Sequence, residues 1–123
     1  MSDKQKGSCH CGAVVFEVEL ANGLDNLLRC NCSLCRRKGA IMQGVAKEKF
    51  HIIKGEDVVS LYQWNTLVAK HYFCSQCGIY THHQRRSDPS QYGFNIACLD
   101  DYAPVDSAAI TLVDGASLSV ADD

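Results

Sequence analysis

No run of apolar residues in this 123-residue chain approaches the ~20 needed to cross a bilayer as a helix. The opening Met1-Ser-Asp-Lys-Gln-Lys-Gly-Ser8 is charged and lacks the apolar centre of a secretory signal. A soluble, cytoplasmic protein without a membrane partner is the expectation. Charge of one sign is also scarce: the formal net charge is −2, which supplies no field for gathering phosphates, so no nucleic-acid partner is expected. There is no repeat at solenoid period and no low-complexity tract. What remains is 46% hydrophobic and 21% charged, the composition of a globular chain whose length suits one domain over 1–123.

Cysteine, by contrast, is plentiful. Eight cysteines in a chain expected to stay reduced point to metal binding or catalysis before disulfides. Seven fall into three groups: Cys9-His-Cys11-Gly12, Cys30-Asn-Cys32-Ser-Leu-Cys35 and Cys74-Ser-Gln-Cys77-Gly78. The eighth, Cys98, stands alone.

Around these groups the hydrophobic pattern has the period of strands. Val14, Phe16, Val18 and Leu20 alternate with Val15, Glu17 and Glu19, a half-buried strand. A turn at Asn22-Gly23 and Asp25-Asn26 leads into a short strand, Leu27-Leu28-Arg29, that delivers the chain to the central cysteines. Ser33 can cap a brief helix through Lys38, with Gly39 as its stop. Further strands are expected over 41–45, 50–53, 58–64, 67–73 and 79–83, then one that carries Tyr92, Phe94, Ile96 and Cys98 on a single face. A loop follows from Asp100, with one weak strand over 110–113 and a frayed tail. The fold class is mainly β with one short helix.

The outer two cysteine groups share a form: each ends in Cys-Gly and each feeds a strand. A backbone that curls its amides toward a metal-bound sulfur often needs a left-handed residue just afterwards, which glycine supplies without strain. Cys9, Cys11, Cys74 and Cys77 are therefore paired on one closed, structural zinc. The central group has no glycine directly after its last cysteine and runs into Arg36-Arg37-Lys38. Three thiolates on Zn²⁺ leave a charge of −1, which these cations and the amino end of the helix could offset. The fourth ligand is either water or substrate, giving a catalytic zinc on Cys30, Cys32 and Cys35, or a distant side chain, giving an inert one. Cys98 heads the distant candidates, followed by His10, His51, His71, His82 and His83; for each of these, simple packing is the plainer reading. His82 and His83 are neighbours on a strand and point to opposite faces, so they do not share a metal; one of them could face the zinc pocket as a proton carrier. Arg36, Arg37 and Lys38 form either a solvated face or a grip for a carboxylate.

The order CxCG, CxCxxC, FCxxCG, here Cys9 to Gly12, Cys30 to Cys35 and Phe73 to Gly78, resembles the family of glutathione-dependent formaldehyde-activating enzymes, which also includes centromere protein V. The resemblance covers about 5–105 and implies a β-tent fold of packed antiparallel sheets with two zinc ions per chain, partitioned as above. It also implies a carbon–sulfur lyase acting on a small-molecule thiol or thiol–aldehyde adduct such as S-hydroxymethylglutathione. The alternative is a non-catalytic binding module in which both zincs are structural. A third reading, redox switching by the central cysteines, predicts reversible disulfides and metal loss under mild oxidant.

Overall fold

The computed structural model describes residues 4–31, 33–63, 70–85, 88 and 90–113. Two sheets carry the fold. A three-stranded antiparallel sheet takes the order β1-β2-β5, from β1 (Lys4–Ser8), β2 (Val15–Glu19) and β5 (Phe50–Lys54). A seven-stranded sheet takes the order β10-β3-β4-β9-β8-β7-β6. Its members are β3 (Leu27–Cys30), β4 (Met42–Ala46), β6 (Val59–Tyr62), β7 (Lys70–Cys74), β8 (Tyr80–Gln84), β9 (Gln91–Asn95) and β10 (Thr111–Val113). All pairings are antiparallel except that of β10 with β3 at one edge. The single α-helix among the described residues is α1 (Ser33–Lys38), and none of the described helices is long and apolar enough to cross a membrane.

The alternation read from 14–20 decides how the sheets meet. Phe16 and Val18 on β2 and Phe50 on β5 point into one core with Val45, Phe94, Ile96 and Leu99 from the larger sheet and the turn that follows it. The Phe16 ring lies 4.9 Å from Phe50 and 5.7 Å from Phe94, centroid to centroid, so aromatic rings form the seam. Each fully buried side chain of this size contributes about 1.5–3 kcal/mol by leaving water.

Two local departures from the sequence reading have clear causes. The charged start forms β1, although Lys4-Gln-Lys-Gly-Ser8 has no apolar alternation; backbone pairing to β2 supplies what side chains do not. Gly7 makes that close approach possible, since a Cβ there would sit 2.4 Å from the Phe16 ring and 2.7 Å from the Cys98 carbonyl. The strand expected to run from Tyr92 through Cys98 ends instead at Asn95. The Asn95 side chain accepts a hydrogen bond from the Ala97 amide (3.1 Å) and donates one to the Tyr80 carbonyl (3.0 Å), which turns Ile96–Cys98 into a 3₁₀ helix.

The turn before the central cysteines is pinned from below. Buried Gln43 accepts from the Asn26 amide (3.1 Å) and donates to Asp25 Oδ1 and the Gly44 carbonyl (both 3.0 Å). This network sets where β3 begins and hence where Cys30 emerges. At the other side of β3, the Asn31 amide donates to the Val113 carbonyl at 3.1 Å, so β10 flanks the strand's exit. The expected helix stop is present, with the Gly39 amide bonding the Cys35 carbonyl at 3.0 Å. Cys32, the strand ends expected at Trp64 and Leu67, and the tail beyond 113 lie outside the described residues.

Candidate metal centre

Cys9 and Cys11 leave the end of β1, Cys74 closes β7, and Cys77 lies three residues further in the turn before β8. Each knuckle is a tight backbone loop. The Cys9 amide donates to the Val14 carbonyl (3.1 Å) and the Gly12 amide to the Cys9 carbonyl (3.2 Å). In the second loop the Cys74 amide donates to Ile79 (2.9 Å) and the Gly78 amide to Cys74 (2.8 Å). Gly12 and Gly78 have φ of +79° and +77°, the left-handed geometry that the Cys-Gly pairing anticipates.

These loops bring the four Sγ atoms within 4.8 Å of one another. Cys9 Sγ is 3.6 Å from Cys11 Sγ, and Cys11 Sγ is 3.7 Å from Cys74 Sγ. Tetrahedral coordination at a Zn–S bond of about 2.3 Å places sulfurs about 3.8 Å apart. The cluster matches that spacing and can hold a metal ion. Backbone amides complete it: Val14 donates to Cys9 Sγ (3.3 Å), and Gln76 and Cys77 donate to Cys74 Sγ (3.3 and 3.4 Å).

The electrostatics of the bare thiols point the same way. Burial acts to raise the Cys77 thiol, yet hydrogen bonds from the backbone of Cys11 and Ile79 and from Cys74 and Cys9 outweigh it and bring it to about 6. Cys9 is also lowered, against the effects of burial and of Cys77, by the Val14 amide and by Cys11 and Cys74. Cys11 has the help of the Ala13 backbone, but burial and the three neighbouring sulfurs together push it up to about 11. Thiols this close cannot all ionise beside one another without a cation, and a divalent ion removes that conflict.

The central group is placed differently. Cys30 ends β3 and Cys35 lies in α1, which packs on β3; both are half-buried, and neither belongs to the four-sulfur cluster. Cys98 is buried, and its Sγ lies 3.8 Å from the Tyr80 carbonyl, to which it donates. Burial, reinforced by the nearby Cys9 and Cys77 charges, pushes it up to about 12, so it stays protonated. His10 and His51 are exposed. His82 and His83 do diverge as the strand geometry requires: His82 is sandwiched by Tyr72 and Phe50 (4.5 and 4.6 Å between centroids), whereas His83 stacks on His71 at 5.7 Å.

Of the three clustered cations, Arg36 and Arg37 are exposed, whereas Lys38 turns inward. Its Nζ lies 2.7 Å from Nδ1 of buried His71 and 3.6 Å above the Tyr80 ring. A cleft of about 500 Å³ opens beside it, lined by Arg29, Lys38, Tyr80, Asn95 and Tyr102 together with the backbone of Gly39 and Gly78. Arg29 and this cleft went unseen in the sequence, where a lone arginine before Cys30 carried no signal of its own.

Comparison with known proteins follows the same outline. A crystal structure of a Rhodobacter sphaeroides protein superposes with a TM-score of 0.77 at 52% identity, covering 80% of this chain and 91% of that one. A Halomonas elongata protein, named provisionally as a glutathione-dependent formaldehyde-activating enzyme, is 32% identical over 80 residues, 58% of this chain. The chain spans about half (50%) of the length of that curated relative. The family model described as glutathione-dependent formaldehyde-activating enzyme matches residues 4–112, a span that takes in all three cysteine groups and both sheets. The chain belongs to the glutathione-dependent formaldehyde-activating enzyme family.

Proposed function

We propose that this chain is a cytoplasmic, zinc-dependent carbon–sulfur lyase acting on a thiol–aldehyde adduct such as S-hydroxymethylglutathione, with two zinc ions per chain. One ion belongs to Cys9, Cys11, Cys74 and Cys77, where the sulfur spacing and the amide donors suit a closed structural site. The other is assigned to Cys30, Cys32 and Cys35. The observation that carries this reading is the separation of the two groups: the outer four sulfurs satisfy a tetrahedral ion among themselves, which leaves the central cysteines for another task.

When bound by three thiolates, zinc would supply one further position able to hold a substrate sulfur as thiolate. The chain's own residues have the remaining work. In the joining direction the substrate sulfur bonds to the aldehyde carbon, the carbonyl π pair moves to oxygen, and the thiol proton ends on that oxygen; the reverse direction cleaves the same carbon–sulfur bond. Lys38, at the end of the helix that carries Cys35, lies where it can offset the charge of a thiolate cluster and of an anionic substrate.

The test is metal counting in reducing buffer on the native chain and Cys30→Ser, with circular dichroism for the fold and magnetisation-exchange NMR for formaldehyde transfer to glutathione. The expected result is two zinc ions falling to one, with the β spectrum kept and exchange abolished. Global unfolding of the variant, or exchange that persists in it, would instead favour a module whose metals only hold a binding surface together.

A further inference from the structure

Three cations follow one another at the end of α1, and the last of them, Lys38, is anchored to β7. Lys38 Nζ is 2.7 Å from His71 Nδ1, and a cation donating there fixes the His71 proton on Nε2. His71 is buried on β7 and is itself held by a stack. It is the cross-strand partner of His83, with rings 5.7 Å apart and 19° from parallel. His83 in turn lies flat on β9 at Gly93, where a Cβ would stand 2.4 Å from its Cε1. A stack built on bare backbone thus sets the position of a lysine on the helix that also carries Cys35.

That lysine opens onto the cleft. Lys38 lines it, so the charge of an ammonium set by His71 at 2.7 Å and by the Tyr80 π face at 3.6 Å acts on the space beside it. Arg29, the residue before Cys30, lines the same cleft, and among the described residues none that lines it is acidic. Two cations, two tyrosines and the Asn95 amide in about 500 Å³ suit a small molecule with a carboxylate at one end and an apolar or peptide-like body. Lys38 is tied to the central thiols, since Cys35 and Lys38 share a helix face at i, i+3, whereas Arg29 and Cys30, neighbours on β3, point to opposite faces, so Arg29 reaches the cleft from the other face of the strand.

We propose that Lys38 and Arg29 form the subsite that selects a carboxylate-bearing thiol, and that His71 is a positioning residue holding Lys38 in register with it. This rests on the lyase reading for the identity of the thiol, though not for the presence of the anion subsite.

Calorimetric titration of the fully metallated chain with glutathione and with its diethyl ester separates the two ideas, because the ester keeps the thiol and removes both carboxylates. Glutathione is expected to bind about tenfold more weakly to Lys38→Met than to the native chain, while the ester binds both alike. In turnover, Lys38→Met raises KM for the glutathione adduct by a larger factor than it lowers kcat. His71→Leu gives the same KM effect; His71→Gln, which retains an acceptor, restores part of it, and a merely structural role for His71 would not produce that rescue. Equal binding of acid and ester by the native chain, or a glutathione affinity unmoved by Lys38→Met, would overturn the subsite. Lysine-dependent glutathione binding without formaldehyde exchange would instead sink the lyase reading and leave the subsite standing.

Discussion

The two cysteine regions of this chain set the same atom in different backbones. The outer four sulfurs come from loops some sixty residues apart, each closed by its own backbone hydrogen bonds, each with amides aimed at sulfur and each followed by a left-handed glycine. One side of the site is sealed by the chain that makes it, with Cys74 fully buried and Cys9 nearly so, while Cys77 is half-buried and Cys11 is exposed. The central cysteines come from one short segment, where a strand end meets a helix of six residues, with Arg29 before it in sequence and Arg36, Arg37 and Lys38 after it. On the proposed reading, the backbone around the sulfurs, more than their number, would distinguish a metal site that holds a fold from one open to a substrate.

The sharpest way to break the comparison is to remove one sulfur from each region. Cys74→Ser takes away the atom that receives the Gln76 and Cys77 amides and lies 3.7 Å from Cys11 Sγ. The loss should amount to several kcal/mol, comparable to the whole stability of a domain at about 5–15 kcal/mol, because metal binding and folding are one equilibrium in such sites. Circular dichroism should show an unfolded chain at room temperature. Cys35→Ser, by contrast, should lower Tm by only a few degrees, an effect of about 1 kcal/mol in a domain of this size, while one zinc equivalent is lost. Equal damage from the two substitutions would abolish the distinction.

A second contrast lies between the paired histidines of β8. His82 is sandwiched between Tyr72 and Phe50, hydrogen-bonded to Thr81 Oγ1 at 2.8 Å, and burial pushes its pKa from 6.5 down to about 3. Below pH 6.5 the unfolded chain therefore takes up a proton that the folded chain refuses, so stability falls as pH drops through the window from about 6.5 to about 3. Between pH 7 and pH 5 the expected loss is about 2 kcal/mol. Because acid also releases thiolate-bound metal, the measurement is the difference between native chain and His82→Phe in urea unfolding at both pH values. The phenylalanine variant keeps the ring stack and should lose less on acidification by that amount; parallel curves would remove His82 as the cause.

How much of this was legible beforehand varied with the kind of signal. Strand periodicity was readable wherever one face was buried, as at Phe16 and Val18, and the Cys-Gly pairs pointed to the four-sulfur cluster because the left-handed glycine is a local requirement. β1 was not readable, since its pairing depends on backbone and on an absent side chain at Gly7. The break at Asn95 was hidden because its cap depends on the Tyr80 carbonyl fifteen residues earlier. For the same reason the sequence offered Arg36, Arg37 and Lys38 as equals, and only the fold, by bringing β7 to the helix end, separates Lys38 from the other two.

The smallest effect tests whether the glycines serve the loops alone or also the metals. Gly12, Gly39 and Gly78 have φ of +79°, +67° and +77°, and a Cβ at any of them would meet nothing within 4 Å. Alanine at each should therefore cost only the left-handed penalty of about 1–2 kcal/mol, without a steric contribution. Thermal unfolding should rank the three variants together, whereas metal affinity should not. Gly12→Ala and Gly78→Ala strain loops whose amides point at the outer sulfurs, so chelator competition should show weaker retention of the structural ion. Gly39→Ala strains the helix end beyond Cys35 and Lys38, so the structural ion should hold as in the native chain and only the second should loosen. Identical chelator curves for all three would mean that the knuckle glycines close the loops without tuning the sulfurs.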